Sequence, residues 1–119
     1  MNIRERKRPY LMFLTKYQFP EWWSPSKDRV SSTDVHSFLV ERLAKAQGFD
    51  FFKQDPDETI LKAYDEVIRS IKFGAHTWSS LGNHLKVLSA AVAKNPDREV
   101  EFRVFDDFLS ELRQRGFVD

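Results

Sequence analysis

Three histidines and two groups of carboxylates are the residues whose chemistry could serve a metal or catalytic site. His76 and His84 lie eight residues apart, whereas two imidazoles on one helical face need a spacing of three or four to share a metal ion. A helix start explains the acidic group at 55–58, because an Asp N-cap and first-turn acids stabilise the positive end of a helix. The pair Asp106–Asp107 points to two different faces of a helix. We therefore predict no metal ion, no cofactor and no catalytic residue.

Recognisable enzyme motifs are missing from the sequence. The chain has no cysteine, and its four glycines are scattered singly, so no G-x-S-x-G elbow or phosphate-binding glycine loop is present. We expect a protein that is not an enzyme, and the cysteine-free composition is compatible with a reducing, cytoplasmic location. The alternative is a helical enzyme with a site built from dispersed residues, which would need a His or carboxylate of perturbed pKa.

The spacing of apolar residues is helical along almost the whole chain. With 119 residues and no linker-like segment, the sequence predicts one domain over 1–119. We expect an all-α, bundle-like fold of four or five helices, which we place in the stretches 9–17, 31–48, 55–74, 77–96 and 97–115. Asp55 is the expected N-cap of the third stretch, and Gly48 is expected to end the second.

Residues 99–104 are ambiguous, because apolar and polar residues alternate there as in a strand. Phe102, Phe105, Leu109 and Leu112 nevertheless continue along one helical face. A lone strand needs a partner, and no other segment has a strand pattern. We therefore predict a helix from about residue 97 to residue 115.

The stretches 55–74 and 77–96 are joined by the short segment KFGAHT. This short connection predicts that the two helices pack as an antiparallel pair. Gly82 and Ser89 are small and one heptad apart, a spacing that would let a neighbouring helix approach closely.

The segment FPEWWSP, residues 19–25, places two adjacent tryptophans between two prolines. Neighbouring side chains in a short turn cannot both point inward, so one of Trp22 and Trp23 can cover the core while the other faces outward. The sequence leaves open whether both instead lie flat over the bundle. In the functional interpretation one tryptophan is an interface anchor, since Trp, Tyr and Arg are enriched at binding hot spots.

Basic residues are concentrated in the same quarter of the chain. Residues 1–30 carry seven lysines and arginines against three acids, although the whole chain has a net charge of only +1. We expect residues 1–8 to form a flexible basic arm. The candidate partner-binding residues are the aromatic and basic side chains of this region: Arg4, Arg6, Lys7, Arg8, Lys16, Tyr17, Trp22 and Trp23.

Our hypothesis from the sequence is a small, soluble, non-enzymatic helical protein that binds a macromolecule, in the first place a protein, as an adaptor, regulator or inhibitor would. The alternative is nucleic-acid binding through residues 4–29, where cations would neutralise phosphates and rings would stack on bases. The near-zero net charge argues against this alternative. We expect no membrane partner, because the apolar run YLMFL is only five residues long. A homodimer that buries Phe102 and Phe105 stays open.

Overall fold

The computed structural model of the protein describes residues 19–49 and 58–119. In this part of the chain the elements, in order, are β1 (Arg29–Ser31), α1 (Ser32–Ala46), α2 (Glu58–Ser70), β2 (Ala75–Thr77), α3 (Trp78–Val92), a 3₁₀ turn (Pro96–Arg98) and α4 (Glu99–Gln114). The predicted all-α, bundle-like fold is confirmed. The predicted helix at 9–17 and the expected N-cap at Asp55 lie outside the described residues, and the single domain over 1–119 stays a prediction.

A two-stranded antiparallel ribbon is the element that the sequence analysis missed. Strands β1 and β2 pair Arg29 with Thr77, Val30 with His76 and Ser31 with Ala75. The prediction that no segment besides 99–104 could be a strand was therefore wrong. Each strand has only three residues, which are too few to display an alternating pattern.

The ends of α1 and α4 use the same backbone motif. Gly48 and Gly116 adopt φ values of +69° and +83°, and the residue after each is a phenylalanine whose N–H bonds back into the last turn. The amide of Phe117, for example, donates to the carbonyl oxygen of Leu112 at 2.9 Å. These are Schellman ends, in which the residue after the glycine packs back onto the helix. Both Phe49 and Phe117 accordingly pack against the core.

The core lies between the helices, and α4 is its central element. Helix α4 packs extensively along α3 and also against α1, whereas α2 and α3 touch each other only sparsely. The predicted antiparallel pair of α2 and α3 is therefore not the main helix contact. The most deeply buried helical side chains are Val35, Phe38, Leu39 and Leu43 of α1, Leu61, Tyr64 and Val67 of α2, Leu81 and Leu85 of α3, and Phe105, Phe108 and Leu112 of α4.

Gly82 is closely approached by Val118 near the end of the chain and not by a neighbouring helix. A Cβ atom at Gly82 would lie 3.1 Å from Cγ1 of Val118, which belongs to the C-terminal residues that fold back over α3. The prediction of a helix approaching at this glycine was therefore wrong. The absence of a side chain makes room instead for the chain end.

The ambiguous segment 99–104 is helical, as predicted. Asn95 accepts the amide of Asp97 at 3.0 Å, which starts the 3₁₀ turn that leads into α4. Phe102 is half-buried, and Phe105 is completely buried in the core of its own chain. Phe105 is thus not available to a homodimer interface, contrary to that part of the expectation.

An ion cluster ties the start of α4 to α2. The guanidinium of Arg98 bonds to the carboxylates of Glu66 in α2 and Glu101 in α4. Glu101 is only 4% exposed. Burial acts to lower the pKa of Arg98, but hydrogen bonds and charge from both glutamates outweigh it and raise that pKa above its usual value.

Candidate interaction site

Trp23 is a core residue. It is 6% exposed, and its ring meets those of Phe19, Phe38, Trp78 and Phe108 at centroid distances of 5.3 to 6.1 Å. Within the described residues its indole N–H makes no hydrogen bond, so packing alone holds the side chain. The structure thereby decides which tryptophan faces inward.

Trp22 is the outward member of the pair. Its side chain is 56% exposed, and its ring meets the ring of Trp23 edge to face at 5.9 Å. Besides Trp22, the large apolar side chains exposed in the described part of the chain are Phe73, Val87 and Val100. Trp22 has the largest side chain of these four residues, and it lies outside the helices and strands.

Two tight turns and one longer-range hydrogen bond fix the backbone that carries Trp22. The amide of Trp23 donates to the carbonyl of Pro20 at 3.3 Å, and the amide of Lys27 donates to the carbonyl of Ser24 at 3.1 Å. The indole of Trp78 donates to the carbonyl of Lys27 at 2.9 Å. This bond ties the loop to the first residue of α3.

The side chain of Lys27 closes over Trp22. Its Nζ donates to the carbonyl oxygen of Trp22 at 3.2 Å and lies 5.9 Å from the centroid of the Trp22 ring. The second distance is within the range of a cation–π contact. Trp22 is therefore exposed to solvent on a backbone that is held at both ends.

The charged residues close to Trp22 in the sequence are balanced in sign. Glu21, Lys27, Asp28 and Arg29 are all exposed, which makes two acids and two bases. Arg29 also donates to the carbonyl of Ala75 in β2 at 3.3 Å. The exposed charges of residues 21–29 are thus mixed in sign, while the basic surplus of the chain lies in residues outside the described part.

Of the eight predicted partner-binding residues, the structure describes two. Of these two, Trp22 is exposed and Trp23 is buried, so Trp22 is the one that a partner can reach. The other six (Arg4, Arg6, Lys7, Arg8, Lys16 and Tyr17) lie outside the described residues, and their predicted role stays a prediction.

All three histidines lie near the β1–β2 ribbon. His36 is 3% exposed, its Nε2 lies 2.5 Å from the carbonyl oxygen of Ile71, and its ring meets Phe73 edge to face at 5.2 Å. Burial lowers the pKa of His36, the hydrogen bond to Ile71 raises it to a lesser extent, and His76 lowers it further. His76 and His84 face each other at 5.6 Å between ring centroids, a contact that their spacing in the sequence did not predict.

A cleft of about 200 Å³ lies between α3 and the C-terminal residues. Its polar lining includes Asn83, Lys86 and Asp119, and no histidine takes part in it. Among residues 19–49 and 58–119 no helix is long and apolar enough to cross a membrane. In the same residues no three His, Asp or Glu side chains come together in a way that could hold a metal ion.

Comparisons of the chain with protein-family models, with curated proteins and with solved structures found no match. A functional conclusion must therefore come from the site itself.

Proposed function

We propose that this protein acts by binding a macromolecular partner, in the first place another protein, and that Trp22 is the anchor that the partner covers. The observation that carries the proposal is that the side chain of Trp22 is exposed while its backbone is held in place. Trp22 is 56% exposed, yet its neighbour Trp23 is packed in the core. The carbonyl oxygen of Trp22 also accepts a hydrogen bond from Lys27. An anchor that is already ordered loses little conformational entropy when a partner binds.

The exposed part of the Trp22 ring is large enough to matter for affinity. A tryptophan buries about 150–250 Å² when it is fully covered. Because 56% of Trp22 is still exposed, a partner could remove about 100 Å² more from water, and burial at about 25 cal/mol per Å² would contribute roughly 2–3 kcal/mol. Contributions of about 2 kcal/mol or more define a binding hot spot.

The surroundings of Trp22 favour a protein over a nucleic acid. Residues 21–29, which carry Trp22, expose two acids and two bases, a mixture of charges that suits the polar rim of a protein interface. A nucleic acid would need a surplus of cations along its backbone. The basic residues between 4 and 16 could supply such a surplus, so nucleic-acid binding through residues 4–29 is the second candidate.

Partner binding is tested with the full chain immobilised and with Trp22→Ala as the informative variant. Val87→Ala is the matched control, since Val87 is an apolar residue of α3 that is 66% exposed. We expect a partner captured by the wild-type chain and by Val87→Ala to bind Trp22→Ala about 30-fold more weakly, which corresponds to about 2 kcal/mol. Equal binding by all three proteins would refute Trp22 as the anchor.

A titration of intrinsic tryptophan fluorescence tests the second candidate. Short single- and double-stranded DNA and RNA are added at two salt concentrations. Nucleic-acid binding through residues 4–29 predicts a saturable change whose affinity falls with salt at a log–log slope of about −3 to −5. No response to any of the four ligands would exclude this candidate and leave the protein partner.

A further inference from the structure

The ring contact between His76 and His84 arises from the junction of β2 and α3. His76 is the middle residue of β2, and α3 begins two residues later at Trp78. The change from strand to helix turns the chain back, so that His84, in the second turn of α3, faces the strand. The two ring centroids lie 5.6 Å apart with an angle of 86° between the ring planes. Both side chains are half-buried.

The hydrogen bonding of His76 determines which of its nitrogens is free. Nε2 of His76 lies 2.6 Å from the backbone carbonyl oxygen of Lys72. A carbonyl oxygen only accepts, so Nε2 carries the hydrogen and Nδ1 of the neutral ring keeps its lone pair. Metal-binding histidines show the same arrangement, in which the second ring nitrogen donates to a backbone carbonyl and thereby orients the ring.

His84 complements this arrangement. Within the described residues its ring nitrogens make no hydrogen bond, and its ring contacts the ring of His76. The third histidine is differently placed. His36 donates from Nε2 to the carbonyl of Ile71 and is buried in the core. His76 and His84 are therefore the imidazoles of this chain that can offer lone pairs to a common ligand.

We propose that His76 and His84 bind a divalent transition-metal ion of the class that prefers imidazole, such as Zn²⁺, Ni²⁺ or Cu²⁺. A metal–nitrogen bond of about 2.0–2.1 Å puts each ring centroid about 3.2 Å from the ion, so two rings on one ion can be up to about 6.4 Å apart. The observed distance of 5.6 Å between the centroids lies within this limit.

The site would be open. No third His, Asp or Glu of residues 19–49 and 58–119 joins the pair, so water or a ligand from outside would complete the coordination. Because only two protein groups bind the ion, the affinity is expected to be well below that of closed four-ligand zinc sites. An open position is also what allows a bound metal ion to take up a further ligand.

The test uses the full chain without a polyhistidine tag and with ZnCl₂ and NiCl₂ as probes. Calorimetric titration should show saturable binding of one ion per chain. Because the chain has only three histidines, nitrogen-detected NMR of the imidazoles can report on each of them. We expect Zn²⁺ to shift the ring signals of His76 and His84 and to leave those of His36 nearly unchanged.

Variants separate this pair from other metal-binding groups. His76→Gln and His84→Gln should each weaken Zn²⁺ binding at least tenfold, whereas Asp107→Asn, which changes an exposed carboxylate of α4, should not. Absence of saturable binding up to millimolar Zn²⁺ would overturn the proposal. So would full binding by the double variant His76→Gln/His84→Gln, or NMR shifts confined to His36. The NMR result is obtained on the wild-type chain and does not depend on the folding of any variant.

Discussion

The rings of Trp22 and Trp23 touch edge to face at 5.9 Å, yet one side chain is 56% exposed and the other is 6% exposed. The two residues are therefore in contact but have different roles. Trp23 holds the loop in the core, and the loop in turn exposes the side chain of Trp22 to solvent. Replacing both tryptophans would remove the buried side chain of Trp23 together with the exposed side chain of Trp22. Such a double variant therefore cannot test partner binding by Trp22.

Single substitutions of the two tryptophans should have very different effects on stability. Trp23→Ala empties a space among four aromatic rings and should lower the free energy of unfolding by about 3–5 kcal/mol. Trp22→Ala removes a side chain that is mostly outside the core and should cost less than about 1 kcal/mol. Denaturant unfolding followed by circular dichroism measures both. Similar losses for the two variants would contradict the assignment of Trp22 to the surface.

The ion cluster at Arg98 should be much more important for stability than an exposed ion pair on the same helix. Arg98→Ala leaves the carboxylate of Glu101, which is only 4% exposed, without its partner and should cost about 3 kcal/mol. Arg103→Ala removes an exposed i,i+4 pair with Glu99 and should cost less than about 1 kcal/mol. Urea denaturation of the two variants provides the comparison, and equal losses would show that the cluster has no special role.

Stability should fall as the solution becomes mildly acidic because of His36. The pKa of His36 in the folded chain lies below its ordinary value of 6.5, since burial disfavours the charged ring. Between these two pKa values the unfolded chain binds a proton that the folded chain does not. The stability contributed by neutral His36 is therefore complete above pH 6.5 and is lost progressively as the pH falls toward the lower pKa, with a slope of at most about 1.4 kcal/mol per pH unit.

The pH dependence is measured as the free energy of unfolding at a series of pH values from about 7.5 downward. His36→Gln should give a flatter profile below pH 6.5 than the wild-type chain, whatever its stability at neutral pH. Asp107→Asn, which changes an exposed residue of α4, is the control and should keep the wild-type slope. A wild-type slope in His36→Gln would assign the pH dependence to other groups.

The Schellman end of α4 should control the packing of the C-terminal residues. Gly116 has φ of +83°, and Phe117 next to it packs on Trp78 at 4.4 Å between ring centroids. Gly116→Ala should cost about 1–2 kcal/mol, because an L-residue with a Cβ is strained in this conformation. Gln114→Ala, at an exposed position of the same helix end, should change stability by less than about 0.5 kcal/mol.

Amide hydrogen exchange gives the local readout of the Gly116 substitution. The amide of Phe117 is bonded to the carbonyl of Leu112 in the wild-type chain and should be protected. It should exchange faster in Gly116→Ala than in Gln114→Ala. Unchanged protection of Phe117 in Gly116→Ala would show that the glycine is not required for this end of the helix.

Local patterns were enough to predict the helices. The apolar stripes of α1, α3 and α4 repeat at the helical period, and Gly48 marks the end of α1, so these features could be read from neighbouring residues alone. The steric rule that adjacent tryptophans cannot both point inward also required only local geometry. The assignment of Trp23 to the core and Trp22 to the surface needed the positions of Phe38, Trp78 and Phe108.

Contacts between distant segments were decided only by the tertiary structure. The three-residue strands β1 and β2 are too short to carry a pattern, and they exist because residues 29–31 and 75–77 are brought together by the helices around them. The change of direction between β2 and α3 brings His84 close to His76. Arg98 reaches Glu66 across 32 positions in the sequence. Helical periodicity is a property of neighbouring residues, whereas pairing between segments depends on which buried faces fit together, and that information is spread over the whole chain.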